Sequence, residues 1–416
     1  MKVVIIAGGK GTRIVSIADE IPKAMIPING KPVLEYQLEL AKRYGFTEII
    51  IIIGYLGEQI KNYFGDGKKW ALTISYYEEL IPLGTAGALV EISDMLNYDF
   101  FVFYGDTIMD IALDQMLDFH LSNNADSTLL LHPNDHPYDS DLVELSEDNK
   151  IIRFYSKPHP KNLISRNLVN AALYILSPKL ISLIPQGVKS DFGKDIFPKS
   201  IKNEFNIYGY ISPEYIKDMG TPDRNKRVCE DIESGKVARL NKKNPRVAIF
   251  MDRDGVVVKE VNLLHKIEDI ELIEGVDEAI SLINDKGYLA IIVTNQPVIA
   301  RGLCSIEELN FIHKKLETML GAKHAYVDSI YYCPHHPDSG FPEENKKYKI
   351  VCDCRKPSPG MLLKAAAEWN IDIASSYMIG DRMSDIEAGE RAGVNYSILI
   401  NENEPNALLN AIKNII

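Results

Sequence analysis

The stretch Val247–Val257, VAIFMDRDGVV, constrains this chain most, because it has the form of an opening strand and yet lies past the middle of 416 residues. An apolar run leads directly into two aspartates spaced D-x-D and then glycine. Buried strands of parallel sheets end in this way when they deliver a catalytic side chain at the carboxyl edge. What precedes the stretch is therefore expected to be a separate unit. The polar, basic run near VARLNKKNPR carries no apolar period and has a proline just before the new strand, which marks a linker. The expected organisation is a first domain over 1–235, a linker over 236–246 and a second domain over 247–416.

Both halves alternate strand and helix. The first reads as strand from Met1, helix from about Lys31, strand Glu48–Ile53, strand Leu72–Tyr77, helix Thr85–Met95 and strand Phe100–Tyr104, an α/β domain with a mainly parallel sheet. The second reads as strand Val247–Met251, helix Val276–Lys286, strand Leu289–Thr294, helix from about Ser305, strand Ser329–Cys333, helix Gly360–Trp369 and strand Tyr377–Ile379. Ligands of such sheets bind beyond the carboxyl ends of the strands.

Charge excludes some functions. A net charge of -12 argues against nucleic acid or an anionic membrane as partner, so phosphates must be held by local basic residues and oriented backbone N–H groups. Met1–Ala7 is too short for a signal peptide, and no apolar run approaches the roughly 20 residues that span a bilayer. Three of the five cysteines, Cys333, Cys352 and Cys354, cluster near two histidines, which favours a reduced cytoplasmic compartment and a metal site over a disulfide framework. Oligomeric state is open, a homo-oligomer included.

After the first strand comes Gly8-Gly9-Lys10-Gly11-Thr12-Arg13. Glycines there let the backbone approach a polyphosphate, with Arg13 and Lys23 adding positive charge. Taken alone, such a loop is as readily a structural turn, and it matches neither the Walker A pattern nor the dinucleotide fingerprint. Asp106, after an apolar strand, and Asp218, in KDMGTPDR, are candidate Mg2+ ligands. Together these stretches resemble the sugar-phosphate nucleotidyltransferase family, which carries AGGxGTR, PKxMxPxxGKPxLE and a later GD in this order. The resemblance covers about the first 235 residues. It implies that Gly8, Gly9, Gly11, Thr12 and Arg13 cradle a nucleoside triphosphate, that Lys23 neutralises its charge, and that Asp106 and Asp218 hold Mg2+. It also implies that Lys157 and Asn170 contact the sugar phosphate. Leu83–Leu89, LGTAGAL, with Gly84 and Thr85, resembles the base-binding segment of guanylyltransferases, which points to GTP. IVSIADEIPK departs from the commoner pattern and resembles the branch that activates manno-heptose 1-phosphate.

In the second half, Asp252 can attack phosphorus and Asp254 can shuttle a proton from the same strand end. A lone DxDG is as readily a turn or a calcium loop, but Thr294-Asn295, Lys356, Asp381 and Asp385 follow. The set resembles the haloacid dehalogenase phosphatase superfamily from about Arg246 onward. By that resemblance Asp252 is the nucleophile and Asp254 the general acid and then base. Thr294 and Lys356 steady the phosphoryl group, while Asp252, the backbone of Asp254 and Asp381 hold Mg2+. Cys333 and His335, then Cys352 and Cys354, form C-x-H and C-x-C pairs suited to structural zinc, with His336 as a weaker candidate facing solvent. This loop, DRDG and IARG resemble the heptose 1,7-bisphosphate phosphatase branch, to which histidinol phosphatases are close. Pro297 and Val298 replace a serine and a glycine usual there, so a hydroxyl and a flexible turn are lost. Arg301 and Arg355 are candidates for the substrate's distal phosphate.

The expected fold is two Rossmann-like α/β domains, the second with a zinc loop. The expected function is removal of the 7-phosphate of heptose 1,7-bisphosphate and transfer of GMP from GTP to heptose 1-phosphate. The rival readings are another sugar 1-phosphate or base for the first half, and for the second a zinc-held interaction module or a histidinol-phosphate-like phosphatase.

Overall fold

The computed structural model describes residues 1–9, 21–338 and 340–416. The chain divides into two compact units, the first comprising 1–132, 141–156 and 169–241, the second 133–140, 157–168 and 242–416. No helix among the described residues is long and apolar enough to cross a membrane.

The first unit contains β1 (Val3–Ile6), α1 (Val33–Arg43), β2 (Glu48–Ile53), α2 (Gly57–Phe64), β3 (Thr73–Glu78), β4 (Phe100–Tyr104), β5 (Thr107–Asp110), α3 (Leu113–Ser122), β6 (Ser127–His132), β7 (Leu142–Leu145), β8 (Ile151–Tyr155), β9 (Val169–Leu176), β10 (Ile207–Ile211), β11 (Tyr215–Asp218) and α4 (Pro222–Glu233). Among the described residues its main sheet has nine strands in the path β8-β7-β9-β4-β1-β2-β3, with β6 beside β9 and β10 beside β6. The pairs β1–β2, β1–β4 and β2–β3 are parallel. The sheet as a whole is mixed rather than mainly parallel, because β9 runs antiparallel to β4, β6 and β7. Apolar residues on both faces of the central strands supply two cores, Val3 and Ile5 entering one and Val4 the other.

Over residues 85–87 the expected helix Thr85–Met95 does not form, and helical turns cover only Ala88–Glu91 and Ser93–Met95. Gly84 has φ +83°, and a Cβ there would stand 2.4 Å from the Ser190 carbonyl oxygen. The backbone is thus held as a loop against residue 190. Residues 236–239 form a helical turn, and the following Leu240 and Asn241 are buried.

The second unit contains β12 (Ala248–Met251), α5 (Val276–Lys286), β13 (Leu289–Asn295), α6 (Ile306–Gly321), β14 (Ser329–Cys333), α7 (Gly360–Trp369), β15 (Tyr377–Gly380), α8 (Met383–Ala392), β16 (Tyr396–Leu399) and α9 (Ala407–Ile415). Its sheet has the order β14-β13-β12-β15-β16, parallel throughout. Ile249 and Met251 enter one core and Ala248 and Phe250 the other, as strict alternation on a doubly covered strand requires. Helix α6 starts with a capping box in which Ser305 and Glu308 satisfy each other's backbone N–H groups, an arrangement worth about 1 kcal/mol. Its buried residues include Leu309, Ile312, Leu316 and Leu320, but also His313 and Glu317. Segment 157–168 meets that polar stripe: the Asn167 N–H donates to the Glu317 carboxylate at 2.6 Å, and Arg166 lies 3.6 Å from it.

Candidate active sites

In the second unit β12, β13 and β15 are the central strands, and their carboxyl ends present Asp252, Thr294-Asn295 and Asp381 side by side. The turn after β12 is tight, with the Val257 and Val258 N–H groups both donating to the Arg253 carbonyl at 2.9 Å. Gly255 has φ +78°, and a Cβ on it would stand 2.6 Å from Asp381 Oδ2. Glycine there lets the turn close over the acidic residue.

Lys356 Nζ lies 2.9 Å from Asp252 Oδ2 and 2.6 Å from Asp385 Oδ1, with its side chain 1% exposed. Burial pulls this ammonium down, but the two carboxylates more than offset it and hold it above the usual lysine value. Its backbone is fixed by an amide pair: Asn295 Nδ2 donates to the Lys356 carbonyl, and the Lys356 N–H donates to Asn295 Oδ1, both at 3.0 Å. Carboxylate oxygens of Asp252, Asp381 and Asp385 lie within 4.8 Å of one another and could hold a metal ion. Burial, then Asp252 and Asp385, push the Asp381 carboxyl up to about 6. Among the described residues its buried Oδ1 has no hydrogen-bond partner. Three carboxylates within reach of one another, two of them on the Lys356 ammonium, and an orphaned buried oxygen fit a divalent cation.

The Asp254 carboxylate is turned toward Arg253 and Gln296 instead of joining that acidic group. Arg253 Nε and Nη2 donate to its two oxygens at 2.9 and 3.0 Å, and Gln296 Nε2 donates at 2.8 Å. Burial raises this carboxyl, opposed by Arg253. The Gln296 amide also donates to Thr294 Oγ1 at 2.9 Å. Arg253, Gln296 and His313, all buried here, were not apparent as site residues in the sequence; the first sits inside the D-x-D motif, but the third is an ordinary helical position.

A second cluster follows β14. Cys333, His335, Cys352 and Cys354 put one ligand atom each within 4.8 Å of the others, with Cys354 Sγ 3.2 Å from both Cys333 Sγ and Cys352 Sγ and 3.3 Å from His335 Nδ1. Tetrahedral zinc with Zn–S of ~2.3 Å separates its sulfurs by about 3.8 Å, so small outward shifts would admit the ion. The Cys333 thiol, against the effect of burial, and then Cys352 and His335 pull Cys354 down toward thiolate. His336 is outside this set and does not face solvent: it is buried, its Nδ1 accepting from the Asp338 N–H at 3.2 Å. Arg355 Nη1 donates to the His335 carbonyl at 3.2 Å, and the Arg301 guanidinium stacks 4.5 Å from the Phe341 ring centre. Val298, 1% exposed, packs with Ile299, Cys304 and Leu309, and the Pro297 carbonyl accepts from the Arg301 N–H. The departure at these two positions thus builds an apolar anchor for the turn that carries Arg301.

In the first unit Gly8 and Gly9 follow β1, while Gly11, Thr12 and Arg13 lie outside the described residues. A Cβ on Gly8 would stand 2.6 Å from Glu79 Oε2, whereas one on Gly9 meets nothing within 4 Å. Glu79 Oε1 accepts from the Leu83 N–H at 3.1 Å. Asp106 follows β4, and the turn carrying it is pinned by the buried Gln37, whose Nε2 donates to the Tyr104 and Thr107 carbonyls at 2.7 Å. Asp218 ends β11 opposite Thr107, and the Met219 N–H donates to the Asp106 carbonyl. The sheet thus brings the two aspartates next to each other. Each faces a cation: Lys23 is 3.3 Å from Asp106 Oδ2, and Arg224 Nη1 reaches both Asp218 oxygens at 2.7 and 2.5 Å. Arg224 was not singled out in the sequence, although TPDR is a helix-start signal; Thr221 caps α4 by accepting the Arg224 N–H. Thr85 Oγ1 donates to Asp191 Oδ2 at 2.9 Å and accepts from the Phe192 N–H at 3.0 Å. Asn170 Nδ2 donates to the Tyr174 hydroxyl. Lys157 falls in the second unit, with its ammonium on the Asp139 carbonyl at 2.6 Å.

Residues 2–234 match the family described as nucleotidyl transferase, and residues 353–407 match the family described as HAD-hydrolase-like. The chain is 45% identical over 156 residues to a D-glycero-alpha-D-manno-heptose-1,7-bisphosphate 7-phosphatase of Photorhabdus laumondii, covering 38% of this chain and 83% of that protein. It is 40% identical over 158 residues to the D-glycero-beta-D-manno-heptose-1,7-bisphosphate 7-phosphatase of the same organism, covering 38% and 82%. It is also 34% identical over 222 residues to a UTP--glucose-1-phosphate uridylyltransferase of Synechocystis, covering 50% and 57%. With one match spanning more than half of the chain and another most of a complete phosphatase, the chain belongs both to the nucleotidyl transferase family and to the heptose bisphosphate 7-phosphatases.

Proposed function

We propose that this is a bifunctional enzyme that removes the 7-phosphate of a D-glycero-D-manno-heptose 1,7-bisphosphate and transfers GMP from GTP to the resulting heptose 1-phosphate. The observation that carries the phosphatase reading is the convergence of Asp252, Lys356, Asp381 and Asp385 at the carboxyl edge of the second unit's sheet. Asp252 attacks the 7-phosphorus, Asp254 gives a proton to the departing sugar oxygen, and water then cleaves the aspartyl phosphate as Asp254 takes a proton back. Lys356 and Thr294 balance charge on the transferring group. Asp252, Asp381 and the backbone of Asp254 would hold Mg2+, which polarises the phosphoryl oxygens when bound. Cys333, His335, Cys352 and Cys354 would hold a structural zinc that fixes Arg355 and Lys356, and their free thiols suit a reducing, cytoplasmic setting. Arg301 and Arg355 would receive the 1-phosphate.

In the first unit the heptose 1-phosphate oxygen attacks the α-phosphorus and pyrophosphate leaves. Gly8, Gly9, Gly11, Thr12, Arg13 and Lys23 would bind the triphosphate, Gly84 and Thr85 the base, and Asn170 the sugar phosphate. Asp106 and Asp218 would hold Mg2+, with Lys23 and Arg224 ceding their carboxylates to it. Glu79 favours guanine: its Oε2 lies at the Gly8 turn, and a carboxylate can accept both N1–H and N2–H of guanine but meets a single N–H on uracil. Incubation with either anomer of the bisphosphate, Mg2+ and each nucleoside triphosphate should release phosphate and pyrophosphate and give a nucleotide sugar with GTP. A UDP-sugar as main product would overturn the base assignment. Asp252→Asn should abolish phosphate release while leaving transfer to added heptose 1-phosphate, and persisting release would exclude Asp252 as nucleophile.

A further inference from the structure

Among the described residues Arg253 is the largest side chain buried below 2% exposure, and it sits between the two aspartates of the D-x-D motif. A guanidinium without water costs several kcal/mol unless it is paired and hydrogen-bonded, and this one is met on three sides. Nε and Nη2 take the two oxygens of Asp254 at 2.9 and 3.0 Å, Nη2 also donates to Gln296 Oε1 at 2.9 Å, and Nη1 meets His313 Nε2 at 3.2 Å. Arg253 has only N–H groups to offer, so His313 accepts at Nε2 and carries its proton on Nδ1. Gln296 closes the ring by donating back to Asp254 Oδ2 at 2.8 Å. The supports come from different elements, Gln296 from the loop after β13 and His313 from the middle of α6. A side chain that merely filled space could be apolar. This one instead fixes both oxygens of a single carboxylate.

We propose that Arg253, braced by Gln296 and His313, is a positioning residue that sets the Asp254 carboxyl in line for proton transfer in the phosphatase reaction. The proposal rests on the reading of Asp252 as nucleophile and Asp254 as acid and base. In the first step a bond forms between an Asp252 oxygen and phosphorus, the bond from phosphorus to the sugar oxygen breaks, and the Asp254 proton goes to that oxygen. In the second, water gives its proton to Asp254 and its oxygen to phosphorus, freeing phosphate and Asp252. A misplaced Asp254 slows both steps for a sugar phosphate. For an aryl phosphate whose phenolate leaves unaided, it slows only the second.

The test compares heptose 1,7-bisphosphate with 2,4-dinitrophenyl phosphate in Arg253→Met, Arg253→Lys, His313→Leu and His313→Gln, using the full chain with Mg2+ and zinc. Arg253→Met should lower kcat for the bisphosphate on the order of 100-fold or more with KM little changed. With the aryl phosphate it should give a burst of about one dinitrophenolate per active site followed by slow turnover. His313→Leu should show the same pattern more weakly, about 10-fold, and His313→Gln, whose amide oxygen can accept from Nη1, should restore most of the rate. An equal fall in burst and turnover with both substrates, in folded His313→Leu as well as Arg253→Met, means a structural role and overturns the proposal alone. Wild-type protein that cleaves neither compound overturns the phosphatase reading and this proposal with it.

Discussion

Replacing Lys356 with methionine tests the electrostatic logic of the phosphatase site directly. The ammonium lies 2.9 Å from Asp252 and 2.6 Å from Asp385, and both it and the Asp385 side chain are 1% exposed. With an effective dielectric of about 20, each contact is a gross attraction of about 6 kcal/mol, largely offset by desolvation of the three groups. Removing the cation keeps the desolvation and leaves Asp252 and Asp385 opposed, which should cost about 3–5 kcal/mol. That is a large share of the ~5–15 kcal/mol available to a domain. The Asp385 carboxyl is already raised by burial and by Asp252, with Lys356 holding it down. In Lys356→Met it rises further, so protonation relieves the site and the deficit should shrink as pH falls. Adding Asp385→Asn should likewise recover stability, a favourable coupling in a double-mutant cycle. Trp369 belongs to the second unit and Trp70 to the first, so urea unfolding followed by Trp369 fluorescence in a Trp70→Phe background, without Mg2+, reads the relevant unit. A loss under about 1 kcal/mol, or simple additivity of the two substitutions, would refute a charge-balanced site. Phosphate release should fall about 100–1,000-fold as transition-state charge loses its partner, with nucleotidyl transfer unchanged.

Zinc should be present at one ion per chain by elemental analysis, and Cys354→Ser should deplete it and suppress phosphate release while sparing nucleotidyl transfer, because Cys354 lies two residues before Lys356. Gly321→Ala should destabilise the second unit by about 1–3 kcal/mol in urea unfolding, since a Cβ there would stand 2.7 Å from Pro137 Cγ; an alanine that stabilises, as helix propensity alone would have it, contradicts that contact. Burial raises the Asp328 carboxyl to about 6, against the Ala290 N–H and Arg246. The folded state therefore binds the proton more tightly than the unfolded chain, and this contribution is full below about pH 4 and lost as pH rises through about 6. Asp328→Asn should remove up to about 3 kcal/mol of that dependence, measured by urea unfolding between pH 4.5 and 7.5.

The fold was most legible where one strand is buried on both faces. Glu48–Ile53 and Phe100–Tyr104 begin and end where their residues indicate, because continuous β-branched and aromatic runs with polar edges leave few alternatives. The mixed direction of the first sheet was not legible. The pattern of β9, VNAALYIL, is the same whichever way its neighbours run, and direction is set by connections distant in sequence. Residues 85–87 misled for a different reason: LGTAGAL does not show that the Ala86 N–H donates to the Ser190 carbonyl and the Thr85 hydroxyl to Asp191, contacts distant in sequence that hold the segment as a loop.

At the phosphatase site, the legible residues are those that must sit at strand ends. Asp252, Thr294, Asn295 and Asp381 announce themselves by ending apolar runs, and the cysteine pairs by spacing. The residues that hold them carry no such mark. Gln296 is a polar residue in a loop, and His313 is one of two polar residues among the buried positions of α6, where pattern alone reads it as a packed core position. Arg253 was hidden more thoroughly, since it lies in the bend after β12, where strand alternation no longer tells which way a side chain points. The guanidinium returns to Asp254 only because its stem is long and its far side is met by Gln296 and His313. A sequence thus displays the groups that react sooner than the groups that aim them, because reaction demands particular residue types at an edge, whereas aiming demands only that a buried charge find complementary partners.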